Sequence, residues 1–117
     1  MLSNTSLLKA RELLQQSQNP LFLFDNDTDG LTSFLLLRRY LDRGKGVPIR
    51  SYPGLNTSYM SKINEFKPDM IVVLDKPVID PEFIHEVLQL GIKFMWIDHH
   101  PQQTAIPPEV NFFKTLI

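Results

Sequence analysis

Short apolar runs alternate with stretches of helical spacing along the chain. Leu21 to Phe24, Met70 to Asp75 ("MIVVLD") and Ile92 to Asp98 ("IKFMWID") are short and almost uniformly apolar until their last residue. Runs of this kind read as buried parallel strands covered on both faces. Between them, Ser3 to Gln16 carries Leu7, Leu8, Ala10, Leu13 and Leu14 at helical spacing, and Asn19-Pro20 stops it. A second helix is predicted through Leu31 to Arg43, capped by Thr28 or Asp29, and apolar around much of its circumference as a helix packed on a sheet should be. Val47 to Tyr52 reads as a further strand, placed at an edge because Pro48 cannot donate to a ladder. Thr57 or Ser58 opens a third helix ending at Phe66, and Pro81 to Gly91 forms a fourth, with proline in its first turn and glycine after its end. Val110 to Ile117, after Pro107-Pro108, reads as a loop entering a fifth element. The alternation predicts an α/β fold: a Rossmann-like, mainly parallel sheet with helices on both faces.

Composition narrows the chemistry. The 117 residues suit one domain, and 43% hydrophobic with 21% charged residues suits a globular one. A formal net charge of -1 supplies no global positive field for drawing in nucleic acid. The absence of cysteine removes disulfides, thiolate metal sites and a cysteine nucleophile, and fits a reducing compartment. No apolar stretch has the length of a membrane span and the start lacks a signal-peptide pattern, so the expectation is a cytoplasmic protein without a membrane partner.

The chemistry is concentrated at strand ends. "LFLFDNDTDGLTS" runs from apolar residues into Asp25, Asp27 and Asp29, followed by Gly30, Thr32 and Ser33. Three adjacent carboxylates repel one another, and hard divalent cations are the natural ligands for them. An acidic turn capping the next helix is the competing reading. Asp75 ends a second strand, while Asp98 ends another and leads into His99-His100-Pro101. Three acid-terminated strands converging on one sheet edge, where open α/β folds hold ligands, favour the metal site. Other residues are assigned blander roles. Lys76 is read as solvated, Trp96 as core, and His85 as surface or packing. Arg38, Arg39, Arg43, Lys45 and Arg50 are read as a solvated face rather than a nucleic-acid track. Thr32 and Ser33 either approach a phosphate or face the sheet.

"DNDTDG", the strand-end Asp75 and "DHH" together resemble motifs I to III of the DHH phosphoesterase superfamily, and look most like its RecJ-like nuclease branch. The resemblance spans nearly the whole chain and corresponds to the N-terminal part of a DHH domain, residues 1–117. It implies a metal-dependent phosphoesterase hydrolysing phosphodiester bonds of single-stranded nucleic acid or a short oligonucleotide, with DNA repair as the setting. Carried over by position, Asp27 and Asp29 are metal ligands and Asp25 ligates or supports them. Asp75 bridges two ions, His99 ligates one, and His100 lies beside them and holds or polarises the phosphate; the catalytic set is Asp75, His99 and His100. Asp98 orients a histidine from behind, as carboxylates commonly do for metal-bound imidazoles. The implied cofactor is a pair of Mn²⁺ ions, with Mg²⁺ as the substitute.

The chain departs from that pattern at its end. A fourth-motif aspartate has no counterpart, Glu109 being the only acid after Asp98, and the C-terminal DHH-associated domain is absent. The expectation is therefore a truncated sheet, in a fragment or in a subunit completed by a second chain. Two rival functions follow. One is a non-catalytic binding or scaffold module on a degenerate DHH fold, which intact metal residues argue against. The other is a haloacid-dehalogenase-like phosphatase with Asp25 as nucleophile and Asp27 as acid, which has no use for His99-His100.

Overall fold

The structure is a computed structural model and describes residues 4–100 and 106–114. Strands β1 (Pro20–Asp25), β2 (Lys45–Ile49), β3 (Met70–Leu74), β4 (Lys93–Asp98) and β5 (Val110–Lys114) form one sheet in the order β2-β1-β3-β4-β5. Every neighbouring pair is parallel. The helices are α1 (Asn4–Gln16), α2 (Thr28–Leu41), α3 (Met60–Phe66) and α4 (Pro81–Gln89). The expected α/β architecture with helices on both faces is observed. Ser3, the expected first residue of α1, and residues 115–117 of the expected fifth element lie outside the described residues. No helix among the described residues is long and apolar enough to cross a membrane.

The two-residue period of the strands divides the core into two layers. Leu21, Leu23, Ile71, Val73, Phe94 and Trp96 face Ile63 of α3 and Phe83, Ile84 and Val87 of α4. Phe22, Phe24, Val72, Leu74 and Met95 face Ala10 and Leu14 of α1 and Leu41 of α2. β3, at the centre, is buried at all its positions, which is why it reads as an unbroken apolar run.

Element ends depart from the local pattern for identifiable reasons. The α2 cap is Asp27, not Thr28 or Asp29: its backbone is extended and its Oδ1 accepts from the Gly30 N–H at 2.8 Å. The helix ends at Leu41, before the expected Arg43, because Asp42 turns left-handed (φ 56°) and its N–H returns to the Arg38 carbonyl. β2 occupies Lys45–Ile49, earlier than the expected Val47 to Tyr52. Gly44, at φ 105°, makes the turn, and Gly46 leaves room for the Phe34 ring, into which a Cβ would run. Pro48 is tolerated because β2 is an edge strand, as expected. The third helix begins as a 3-10 turn, Thr57–Tyr59, capped by Asn56, whose Oδ1 accepts from the Ser58 N–H.

Two polar anchors were not legible in the local pattern. Arg43, assigned to a solvated face, instead donates to the carbonyls of Leu14, Gln15, Ser17 and Leu41 and thereby closes the end of α1. Asp69, just before β3, accepts from Ser17 Oγ at 2.5 Å and from the N–H groups of Gln18 and Asn19. Burial pushes its carboxyl upward, but these bonds and its own N–H outweigh that and hold it below the ordinary 3.8. A depressed folded pKa gives stability that is present above 3.8 and is lost as pH falls through the folded value. Asp69→Ala is therefore expected to destabilise the fold by about 1–2 kcal/mol at neutral pH, an amount reduced by solvent screening. In urea melts this deficit should shrink toward acid pH; a pH-independent deficit would assign it to packing instead.

Candidate metal centre

The sheet register builds the site. Phe24 pairs with Leu74, and Leu74 with Ile97. The next residues, Asp25, Asp75 and Asp98, therefore stand level on adjacent strands at the carboxyl edge. The strand order also reverses here: β1 leads outward to β2, whereas β3 lies on its other side. This is the crevice in which open α/β sheets hold ligands.

Each acid is positioned by its own local device. After β1 the chain turns tightly, with the Asp27 N–H donating to the Asp25 carbonyl at 2.8 Å. Gly30 then packs against that turn so closely that a Cβ would overlap the Asp25 backbone. Asp75 takes a left-handed conformation, φ 59°, an uncommon state for a residue with a side chain. Its N–H still extends the sheet, donating to the Ile97 carbonyl at 3.1 Å. Asp98, 2% exposed, accepts from the His100 backbone N–H and pairs with His100 Nδ1 at 2.8 Å. With the shared proton on Nδ1, the ring presents its Nε2 lone pair to a cation or an O–H donor. The His99 and His100 rings lie 4.1 Å apart, centre to centre.

The carboxylates and imidazoles form two groups with a common member. Asp25, Asp27 and Asp75 offer ligand atoms within 4.8 Å of one another, and so do Asp75, Asp98, His99 and His100. Asp29 belongs to neither group; it lines a neighbouring cleft of about 520 Å³ with Thr32, Ser33, Asp75 and His99. Leu36, Leu37, Leu74 and Ile97 form the apolar wall of that cleft.

Asp75 carries the electrostatic load. His99 Nδ1 lies 3.2 Å from its Oδ1 but is not aligned for a hydrogen bond, so that oxygen is a buried acceptor without a partner among the described residues. Burial pushes the Asp75 carboxyl above its ordinary range; Asp27 adds to this, His99 and His100 oppose it, and Asp98 adds again. An orphaned carboxylate oxygen in a carboxylate-imidazole pocket fits a hard or borderline divalent cation.

Lys76 corrects the sequence reading. It is 5% exposed rather than solvated, and its Nζ pairs with Asp25 Oδ1 at 3.2 Å. Its carbonyl accepts from Trp96 Nε1 at 2.8 Å, which fixes the chain immediately after Asp75. Trp96 is core, as expected, with its ring edge-on to Phe112. His85 is exposed on α4 and lies outside the acidic groups.

The family model for the DHH family, N-terminal domain, matches residues 21–115, which include all of these acids and both histidines. The chain belongs to the DHH family. That membership sets aside the haloacid-dehalogenase reading. Among solved structures, the chain is similar to exonuclease RecJ bound to manganese, with a TM-score of 0.68 and 21% identity. That match covers 96% of this chain and 31% of the other. RecJ from Thermus thermophilus, in complex with Mn²⁺, superposes with a TM-score of 0.64 at 22% identity, covering 92% of this chain and 16% of that one. The DHH fold of this chain is thus RecJ-like, and the chain spans less than a third of these relatives. No curated protein sequence matches it.

Proposed function

We propose that the chain is the metal-binding N-terminal part of a DHH phosphoesterase, of RecJ-like nuclease type, acting on phosphodiester bonds of single-stranded nucleic acid or a short oligonucleotide. Asp75 carries the reading: a buried carboxylate, in an uncommon backbone conformation, with an oxygen that has no hydrogen-bond partner among the described residues and with membership of both ligand groups. The manganese in the similar RecJ structures supports Mn²⁺ as the ion, two in a complete site, with Mg²⁺ as the substitute. The cysteine-free composition supports a cytoplasmic setting, and DNA repair fits the RecJ likeness.

In this reading Asp25, Asp27, Asp75 and His99 would hold the ions, with Asp25 also paired to Lys76, while Asp29 stands in the cleft beside them rather than in either close-packed group. When bound, the ions supply Lewis acidity and a water of lowered pKa. The protein's own contribution is placement. Asp98 fixes the orientation of the His100 ring, whose Nε2 is the atom left to hold or polarise the phosphate. The apolar wall of the cleft offers a surface for the sugar or base of the substrate.

Calorimetric titration of the chain with Mn²⁺ tests the metal centre. Binding is expected, and Asp27→Ala should weaken it on the order of tenfold or more, the effect of deleting one neighbouring charge. Equal affinity in the variant would remove Asp27 from the ligand set, and absence of binding in both would remove the metal centre.

A further inference from the structure

We infer that Lys76 is a resident counter-ion of the aspartate cluster and makes the two metal positions unequal. This deepens the metal-centre reading and rests on it. The Asp75-Asp98-His99-His100 group has no lysine or arginine paired to it among the described residues. The Asp25-Asp27-Asp75 group does: the Lys76 ammonium lies 3.2 Å from Asp25 Oδ1, with its side chain 6% exposed.

That lysine is held in place. The Trp96 indole anchors its carbonyl at 2.8 Å, and its peptide bond joins it directly to Asp75. A divalent cation among Asp25, Asp27 and Asp75 meets a fixed unit positive charge already sharing one of its carboxylates. It must either tolerate that repulsion or strip the ammonium from Asp25, which leaves a buried charge unpaired. An ion at Asp75 and His99 faces neither obstacle. The first ion therefore loads on the histidine side, and the second binds on the Asp25 side at least about tenfold more weakly, the size of effect one adjacent unit charge has on a carboxylate's affinity for a proton.

The test is a Mn²⁺ titration by calorimetry of the whole chain, comparing wild type with Lys76→Met and Lys76→Arg. Lys76→Met keeps the buried apolar stem and removes the charge; Lys76→Arg keeps the charge. Wild type and Lys76→Arg should show one tighter and one weaker event. In Lys76→Met the weaker event should strengthen at least about tenfold while the tighter one stays put. An unchanged weaker event in a folded Lys76→Met protein would reduce Lys76 to a structural ion pair and overturn the inference. Equal strengthening of both events would overturn it too, showing a general field rather than a local block. If Lys76→Met fails to fold, two equal sites in wild type or Lys76→Arg would overturn the inference, and unequal ones sustain it. No Mn²⁺ binding by any of the proteins would strike the metal centre itself, a result distinct from two variants that bind alike.

Discussion

Asp75→Asn is expected to remove metal-dependent phosphodiester hydrolysis from a complete form of the enzyme and, at the same time, to make the metal-free chain harder to unfold. The loss follows from Asp75 being the shared member of both ligand groups, so one substitution weakens both. It should exceed the 10–100-fold typical of residues that only orient a ligand, reaching on the order of 10²-fold or more. The gain in stability follows from the direction of the pKa shift. Burial, aided by Asp27, holds the folded carboxyl above 3.8. The folded chain therefore binds a proton there more tightly than the unfolded chain does. The stability contributed by this group is fully present below 3.8 and is lost as pH rises through the folded pKa. Above the folded pKa the metal-free fold carries a buried carboxylate charge whose Oδ1 has no hydrogen-bond partner among the described residues, and an amide of the same shape relieves that cost. Thermal melts of the apo proteins should show the variant unfolding a few degrees higher at neutral pH, with the gap closing in acid. Undiminished hydrolysis would end the ligand assignment, and a variant less stable than wild type at neutral pH would end the electrostatic account.

Gly30→Ala should have the largest effect on folding. A Cβ at Gly30 would overlap the carbonyl oxygen of Asp25 and come within 2.9 Å of that residue's carbonyl carbon and nitrogen. All three are backbone atoms, and the carbonyl is already committed to the Asp27 N–H. No side chain can swing aside. Either α2 lifts from the end of β1 or the turn holding Asp25 and Asp27 opens. A cost of about 3 kcal/mol is expected from overpacking of this kind. Because the displaced turn bears two acids of the cluster, Mn²⁺ affinity should fall even where the variant remains folded. Urea melts with parallel metal titrations would check both, and a variant within about 0.5 kcal/mol of wild type, the range of ordinary surface changes, would contradict the packing argument.

What could be read from the sequence was what the chain repeats locally. Apolar runs ending in Asp25, Asp75 and Asp98 were enough for a parallel sheet with its acids on one rim, because burial on both faces leaves an unbroken apolar signature. Element ends were less legible. Asp27 caps α2 rather than its neighbours because the tight turn after Asp25 decides which residue is extended, and composition is silent about that. The contacts that tune the site were hidden altogether. Asp25 and Lys76 are far apart in sequence and meet only because β3 is placed beside β1. The same holds for Asp69 with Ser17 and for Arg43 with the end of α1, which are products of topology rather than of any short pattern. Asp29 shows the reverse: conspicuous in the motif, it stands in the cleft and outside both close-packed ligand groups.

Trp96 gives the hydrophobic layer a hand in the charge balance of the rim. Its ring is wedged among core residues, while its indole N–H holds the backbone of the lysine paired with Asp25. Packing on the α3 and α4 side of the sheet is thereby coupled to the position of a positive charge at the metal centre. Substitutions deep in that layer, touching no acid or imidazole, can thus retune ion loading by loosening a tether, and the boundary between scaffold and site runs through a single side chain.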